Sequence, residues 1–268
     1  MIYMNTSYKK SNFGSAFLFL SKEKKEALSV IYAFCRIVDD IVDEQHPNAQ
    51  DELDFWKKEL DSVFSAATPQ TKLGKDLQKQ VPLFNLTKKN FLLLIEGMEM
   101  DLHQRSYKTF DELKEYFYRV AGVVGLMCCE VFGAKGDDAR NYAITLGNAV
   151  QMTNIIRDIY EDAEIGRIYI PSEDLQKFDI TPKDIKNKCM ARLAPLLKME
   201  GEKAKQLFKT AKESFPSEYK SALKPAVIMG AVYEAILDKI AAKKYKFNKK
   251  VRLSKLKKIS VLLKALIK

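Results

Sequence analysis

QMTNIIRDIYED, residues 151–162, holds no glycine or proline and is built from residues that sustain a helix. On a helix, positions three and four apart share a face. Gln151, Asn154, Asp158 and Asp162 are spaced 3, 4 and 4, so they form one polar stripe. Val150, Met152, Ile155, Ile156 and Ile159 make the rest of the surface apolar. A helix apolar nearly all round belongs in a core. Two amides and two carboxylates buried there are costly unless something compensates them.

A second stretch repeats the pattern. In LSVIYAFCRIVDDIVD, residues 28–43, Tyr32, Arg36, Asp39 and Asp43 are spaced 4, 3 and 4 on another apolar helix. Asp39 and Asp43 lie about 6 Å apart along the axis, as do Asp158 and Asp162. If the stripes face each other, four carboxylates converge and need cations. Carboxylate oxygens favour hard ions such as Mg²⁺, which share phosphate oxygens readily. Arg36 and Arg157 are suited to grip phosphate. The plainer reading is a pair of core helices with internal ion pairs, Arg36 to Asp39 and Arg157 to Asp158 or Glu161.

The whole chain fits an all-α architecture. Its 268 residues are 47% hydrophobic, contain 11 glycines and show no long alternating strand pattern. Residues 1–268 read as one domain. Cys35, Cys128, Cys129 and Cys189 form no CxxC pair and suit a reducing compartment. His46 and His103 are too few for a histidine-rich metal site, and Glu-x-x-His is absent, against a ferritin-like di-iron bundle. No apolar run approaches the roughly 20 residues that span a bilayer.

The net charge of +10 is a property of the tail. Residues 241–268 carry ten lysines, one arginine and no acid, which leaves the remainder at −1. Leu256, Ile259, Leu263 and Leu266 share one face there, with Lys255, Lys257, Lys258 and Lys264 elsewhere. A basic amphipathic helix suits an anionic membrane surface or docking on the body. Aromatics are nearly absent beyond Phe247, so no nucleic-acid partner is expected. The predicted location is cytoplasmic, peripheral on the cytoplasmic membrane face.

Proline and glycine divide the rest. Helices are predicted from Ser21 to about His46, Asn48 to Ala66, between Pro69 and Pro82, Thr87 to Arg105, Asp111 to Phe132, and Lys135 to Ala163. Pro182, Pro195, Pro216 and Pro225 are expected to split the last third. Trp56 reads as a core anchor. Ala121, Gly122 and Gly125 allow another helix or a ligand chain to come close. Asp101, at the end of an acid-ended helix, either faces a cation or is solvated. Gly166 breaks the second acidic helix, and Arg167 to Pro171 should be extended.

Three motifs resemble the squalene/phytoene synthase family. They are Tyr32-Ala-Phe-Cys-Arg36-x-x-Asp39-Asp-x-x-Asp43, Tyr116-x-Tyr-x-Val-Ala121-Gly122-x-x-Gly125, and Gln151-x-x-Asn154-Ile-x-Arg157-Asp158-x-x-Glu161-Asp162. Gly97-Met-Glu-Met-Asp101-Leu102 and Gly166-Arg-Ile-Tyr-Ile-Pro171 also match, and the similarity runs from about Lys9 to the end. The resemblance implies an isoprenoid synthase fold around a central cavity. It implies head-to-head joining of two prenyl diphosphates, farnesyl or geranylgeranyl, through a cyclopropylcarbinyl diphosphate. It implies Mg²⁺, with Mn²⁺ as a substitute, and NADPH only for a squalene product.

Carried over by position, Asp39, Asp43, Asn154, Asp158 and Asp162 hold metal. Lys9, Lys10, Ser11, Asn12, Tyr32, Arg36, Gln151, Arg157 and Tyr233 contact substrate. Tyr32, Tyr116, Asp39 and Asp158 are the catalytic candidates. Near Lys249 the family's pattern leads one to expect an arginine directed at diphosphate, so Lys250 or Arg252 must serve. Phe13 and Phe17 are candidates for cavity lining, with Phe17 shortening the pocket toward C15 chains. The animal and fungal squalene synthases carry a C-terminal membrane span that is not legible here, which points to the shorter bacterial branch of phytoene, dehydrosqualene and presqualene diphosphate synthases. Two other readings compete. Asp39-Asp40-x-x-Asp43 also reads as the DDxxD of a head-to-tail prenyl diphosphate synthase, and a non-catalytic, membrane-associated helical scaffold is the alternative from another class.

Overall fold

A computed structural model of the chain describes residues 20–44, 47–103 and 106–267. The elements are α1 (Lys22–Asp43), α2 (Ala49–Val63), α3 (Lys72–Leu83), α4 (Lys88–His103), α5 (Phe110–Phe117), α6 (Val123–Phe132), α7 (Gly136–Glu164), α8 (Ser172–Lys177), α9 (Pro182–Lys186), α10 (Met190–Glu213), α11 (Lys224–Ala242) and α12 (Lys255–Ile267). The all-α reading holds, and among the described residues the one β-type pairing is an isolated bridge from Ser106 to Ile168. No described helix is long and apolar enough to cross a membrane.

Local chemistry sets the ends. Ser21, Thr71 and Thr109 cap α1, α3 and α5 by accepting from the backbone N–H three residues on. Thr181 and Asp184 form a capping box with Pro182 in the first turn of α9. Gly133 ends α6 at φ +85°, a conformation that L side chains rarely adopt.

Two expectations needed correction. Pro195 lies inside α10 instead of splitting it. It sits near the helix start, and Leu193, Leu196 and Leu197 are buried around it, so packing outweighs one missing backbone donor. The segment from Asp111 to Phe132 is interrupted by a π-helical turn, Tyr118–Gly122, between α5 and α6. Such turns insert one residue into an α-helix.

Helices α1, α4, α6, α7 and α11 surround a central cavity. Backbones come close where glycine allows it. A Cβ on Gly125 would stand 2.7 Å from the Ala143 carbonyl oxygen, and one on Gly147 2.8 Å from that of Ala121. Outside this seam, Trp56 is 6% exposed and meets Phe34 edge-on at 5.5 Å, as its core role requires.

The tail helix α12 docks on α11 through Val261 and Ala265, which are buried. Of the predicted stripe only Leu266 packs against the core. Leu256, Ile259 and Leu263 face outward, at 80%, 55% and 54% exposure, because the helix has a second apolar face.

Candidate active site

The cavity measures about 310 Å³, and its polar lining gathers at one end. Helix α1 contributes Tyr32, Arg36 and Asp39, and α7 contributes Gln151 and Asn154. Tyr116 enters from α5 and Tyr233 from α11. The other walls are apolar, including Leu94, Met98, Val120, Val124, Leu146 and Met229. Asp39 of the first stripe and Gln151 and Asn154 of the second line the same cavity, and Asp162 is close enough to feel the charge of Asp43.

The internal ion pairs are present as well. Arg36 reaches Asp39 at 2.6 Å and also pairs with Asp40. Arg157 makes a two-pronged contact with Asp158, at 2.7 and 2.5 Å. Burial works against the Arg157 charge, but Asp158 outweighs it and holds the guanidinium ionised. Its other side lies 6.0 Å from the Tyr233 ring centre.

These pairs leave the mouth short of positive charge. Burial, then the charge of Asp43, push Asp39 up to about 7 against the pull of Arg36. Burial, then Asp158, Asp101 and Asp43, push Asp162 up to about 8, with Lys250 opposing. Helices α1, α4 and α7 therefore feel one another's carboxylates. The Asn154 side-chain oxygen is buried without a partner. A hard divalent cation fits this set of oxygens. Among the described residues, no group of three or more acidic, histidine or cysteine side chains is arranged to hold a metal ion by itself, and Mg²⁺ commonly takes one or two carboxylates with waters and phosphate oxygens.

Sequence reasoning missed part of this site. Arg167 donates to Asp43 Oδ1 at 2.5 Å and to the Val42 carbonyl at 3.0 Å. Asp101 is 7% exposed and accepts from Tyr116 at 2.8 Å and Tyr169 at 2.7 Å. Burial pushes Asp101 up to about 6, against Arg167 and the two phenols. The tyrosine rings stack, with centres 5.2 Å apart. Of the two tail cations, Lys250 reaches Asp158 Oδ2 at 2.8 Å, whereas Arg252 is exposed. The signal for Arg167 and Tyr169 was the Gly166–Pro171 motif, but nothing in its spacing names a partner. Lys9, Lys10, Ser11, Asn12, Phe13, Phe17 and His46 lie outside the described residues.

A helical shell around a cavity with facing acidic stripes is the isoprenoid synthase fold. A family model described as squalene/phytoene synthase matches residues 7–257, and the chain belongs to that family. It is 36% identical over 254 residues to a chloroplastic phytoene synthase of an Oncidium hybrid cultivar, covering 90% of this chain and 61% of that one. It is 34% identical over 258 residues to the 15-cis-phytoene synthase of Synechocystis sp., covering 90% and 76%. The chain thus spans about three fifths of the length of the chloroplastic relatives. Among solved structures, squalene synthase HpnC from Alicyclobacillus acidocaldarius superposes with a TM-score of 0.80 at 29% identity, over 91% of this chain and 94% of that one. A dehydrosqualene synthase in complex with ligand gives 0.85 at 27% identity, over 99% and 93%.

Proposed function

We propose that this chain, as one catalytic unit, couples two prenyl diphosphates head to head through a cyclopropylcarbinyl diphosphate, in a reaction that requires Mg²⁺ or, as a substitute, Mn²⁺. The observation that carries the reading is one cavity with an acid-crowded mouth and an apolar interior. Asp39, Asp43, Asn154, Asp158 and Asp162 would hold the cation. When bound, it neutralises the charge of the departing diphosphate.

The protein's own groups complete the chemistry. Arg36 and Gln151, which line the cavity, and Arg157 and Lys250, which pair with Asp158, would take phosphate oxygens, and Lys9 to Asn12 are assigned to the same task by resemblance alone. The rings of Tyr32, Tyr116 and Tyr233 offer π faces to a cationic chain. The apolar walls keep water from it. Burial pushes the cavity-lining Cys35 thiol up to about 12 and Cys128 higher still, so neither supplies a thiolate to trap the cation. In the first coupling, one diphosphate and one proton leave as the cyclopropane forms. NADPH enters only if the product is squalene.

Incubation with Mg²⁺ and C15 or C20 diphosphate, without isopentenyl diphosphate and with or without NADPH, tests the reading. A coupled C30 or C40 product that disappears with EDTA is expected. A product that forms only with isopentenyl diphosphate would assign head-to-tail chemistry instead, and no reaction would favour the scaffold reading.

The same proposal includes peripheral contact with an anionic membrane at the cytoplasmic face. The outward Leu256, Ile259 and Leu263, flanked by lysines, support it. Flotation with anionic but not neutral vesicles is expected, and equal flotation with both would remove the electrostatic part.

A further inference from the structure

A second hollow, of about 490 Å³, is formed by the end of α11 and the segment that leads into α12. Lys239 and Lys243 line it from the last turn of α11 and its cap, and Lys246, Lys249, Lys250 and Arg252 line it from the segment. No acid lines it. Six like charges around one cleft repel one another and make it strongly positive.

The fold presents these cations deliberately to one side. Tyr245, Phe247, Val251 and Leu253 are buried, whereas Lys246, Lys249 and Arg252 between them are exposed. Lys239 Nζ donates to the Arg252 carbonyl at 2.7 Å, which ties the two walls of the cleft together. Lys250 is engaged by Asp158. Lys243, Lys246, Lys249 and Arg252 have no acid partner among the described residues. Elsewhere the chain pairs such side chains, as in Lys57 with Glu99 and Lys212 with Glu234.

The surroundings of the cleft indicate what neutralises it. Arg252 is four residues from Leu256, so their Cα atoms lie within about 14 Å of each other. Leu256, Ile259 and Leu263 turn outward from α12, each more than half exposed. A cationic hollow beside an exposed apolar stripe matches a phospholipid, with its head in the hollow and its chains along the stripe. A single phosphate diester brings one negative charge to four unpaired cations, so a head with two phosphates complements the cleft better.

We infer that this cleft is a headgroup site for an anionic phospholipid that carries two phosphates. The inference rests on the peripheral-membrane part of the proposed function and is independent of the head-to-head reading. It adds a defined pocket, with a preference among lipids, to an attraction that charge alone would leave diffuse.

The test is co-flotation of the full chain with vesicles of equal net charge whose anionic lipid is either cardiolipin or phosphatidylglycerol. The wild type should bind the cardiolipin vesicles about tenfold more tightly, the worth of one or two further charge-assisted hydrogen bonds. Lys243→Gln with Lys246→Gln should abolish that preference. Lys255→Gln with Lys257→Gln removes the same charge from α12 outside the cleft, and it should weaken binding to both lipids alike and keep the preference. All four lysines are exposed, so neither double variant puts folding at stake. Equal wild-type binding to the two lipids, or the same effect from both double variants, overturns the headgroup site alone. Binding of inorganic diphosphate in EDTA that is lost with Lys243 and Lys246, without any lipid preference, would overturn the lipid assignment in favour of a free anion. No flotation with either lipid overturns the membrane contact and the headgroup site together.

Discussion

Two clusters of carboxylates, one buried and one at the cavity mouth, can be set side by side. Asp174 on α8 and Glu200 on α10 are both 0% exposed. Lys203 Nζ stands 2.5 Å from Asp174 and 3.2 Å from Glu200, and Lys177 is 2.9 Å from Asp174. Burial pushes Glu200 up to about 7, whereas the two lysines outweigh burial at Asp174 and hold it below its usual range. At the cavity mouth, Arg36, Arg157, Arg167 and Lys250 are likewise engaged by acids, and Asp39 and Asp162 still sit high. Each cluster even leaves one buried oxygen unpartnered, on Glu200 and on Asn154. The difference is access. Neither Asp174 nor Glu200 lines the central cavity, whereas Asp39 and Asn154 do. Charge imbalance alone does not mark a site; imbalance at a concave opening does.

Breaking the mouth should have the largest effect. Asp39→Ala and Asp158→Ala should each lower turnover by about a thousandfold or more; Asp39→Ala should unfold close to wild type, whereas Asp158→Ala strands the buried Arg157 and should also lower Tm. Near-wild-type turnover in either would reduce the mouth to the same structural status as the Asp174–Glu200 pair. A smaller effect is expected behind the mouth. Arg167→Lys cannot hold Asp43 and the Val42 carbonyl in the same fork, so half-maximal activity should need about tenfold more Mg²⁺. An unchanged Mg²⁺ titration would show that Asp43 needs no such brace.

The smallest effect belongs to the closed cluster. Glu200 titrates near 7 in the fold against 4.5 ordinarily, so between those values the folded state keeps a proton that the unfolded chain has lost. Stability therefore falls as pH rises through that window. Glu200→Gln has no proton to lose. It should gain on the order of 1 kcal/mol over wild type at pH 8 and nothing near pH 4. Parallel pH–Tm profiles for the two proteins would show that Glu200 does not titrate there. Turnover should not change with this substitution, which separates the two clusters by function as well as by stability.

What the sequence made legible follows from the range of each interaction. Asp39, Asp43, Asp158 and Asp162 could be read because helical spacing relates residues three and four apart. The caps at Ser21, Thr71, Thr109 and Thr181 are local in the same sense. Arg167 meets Asp43, and Lys250 meets Asp158, only after the chain has folded back on itself, so no local pattern encodes either pair. Asp101 could be seen as an acid facing something, but its partners are two tyrosines from separate segments. Pro195 was misread because proline's local preference is strong while the buried leucines that override it act through packing. In α12, both apolar faces were present in the sequence, and only packing on α11 decided which one turned inward.

The π-helical turn has a consequence for angular phase. Tyr116 and Gly125 are nine residues apart, and at about 100° per residue an unbroken α-helix would point them to opposite sides, about 180° apart. One inserted residue sets the downstream helix back by a step, which brings them to about 80°. Both in fact line the cavity, as do Val120 and Ala121, adjacent residues where the stripe slips by one. The turn acts as a dislocation that lets one rod present a tyrosine tied to Asp101 and a glycine seam for α7 toward the same space. Removing Arg119 alone would leave every cavity-lining side chain in the protein and rotate one half of the wall away from the other.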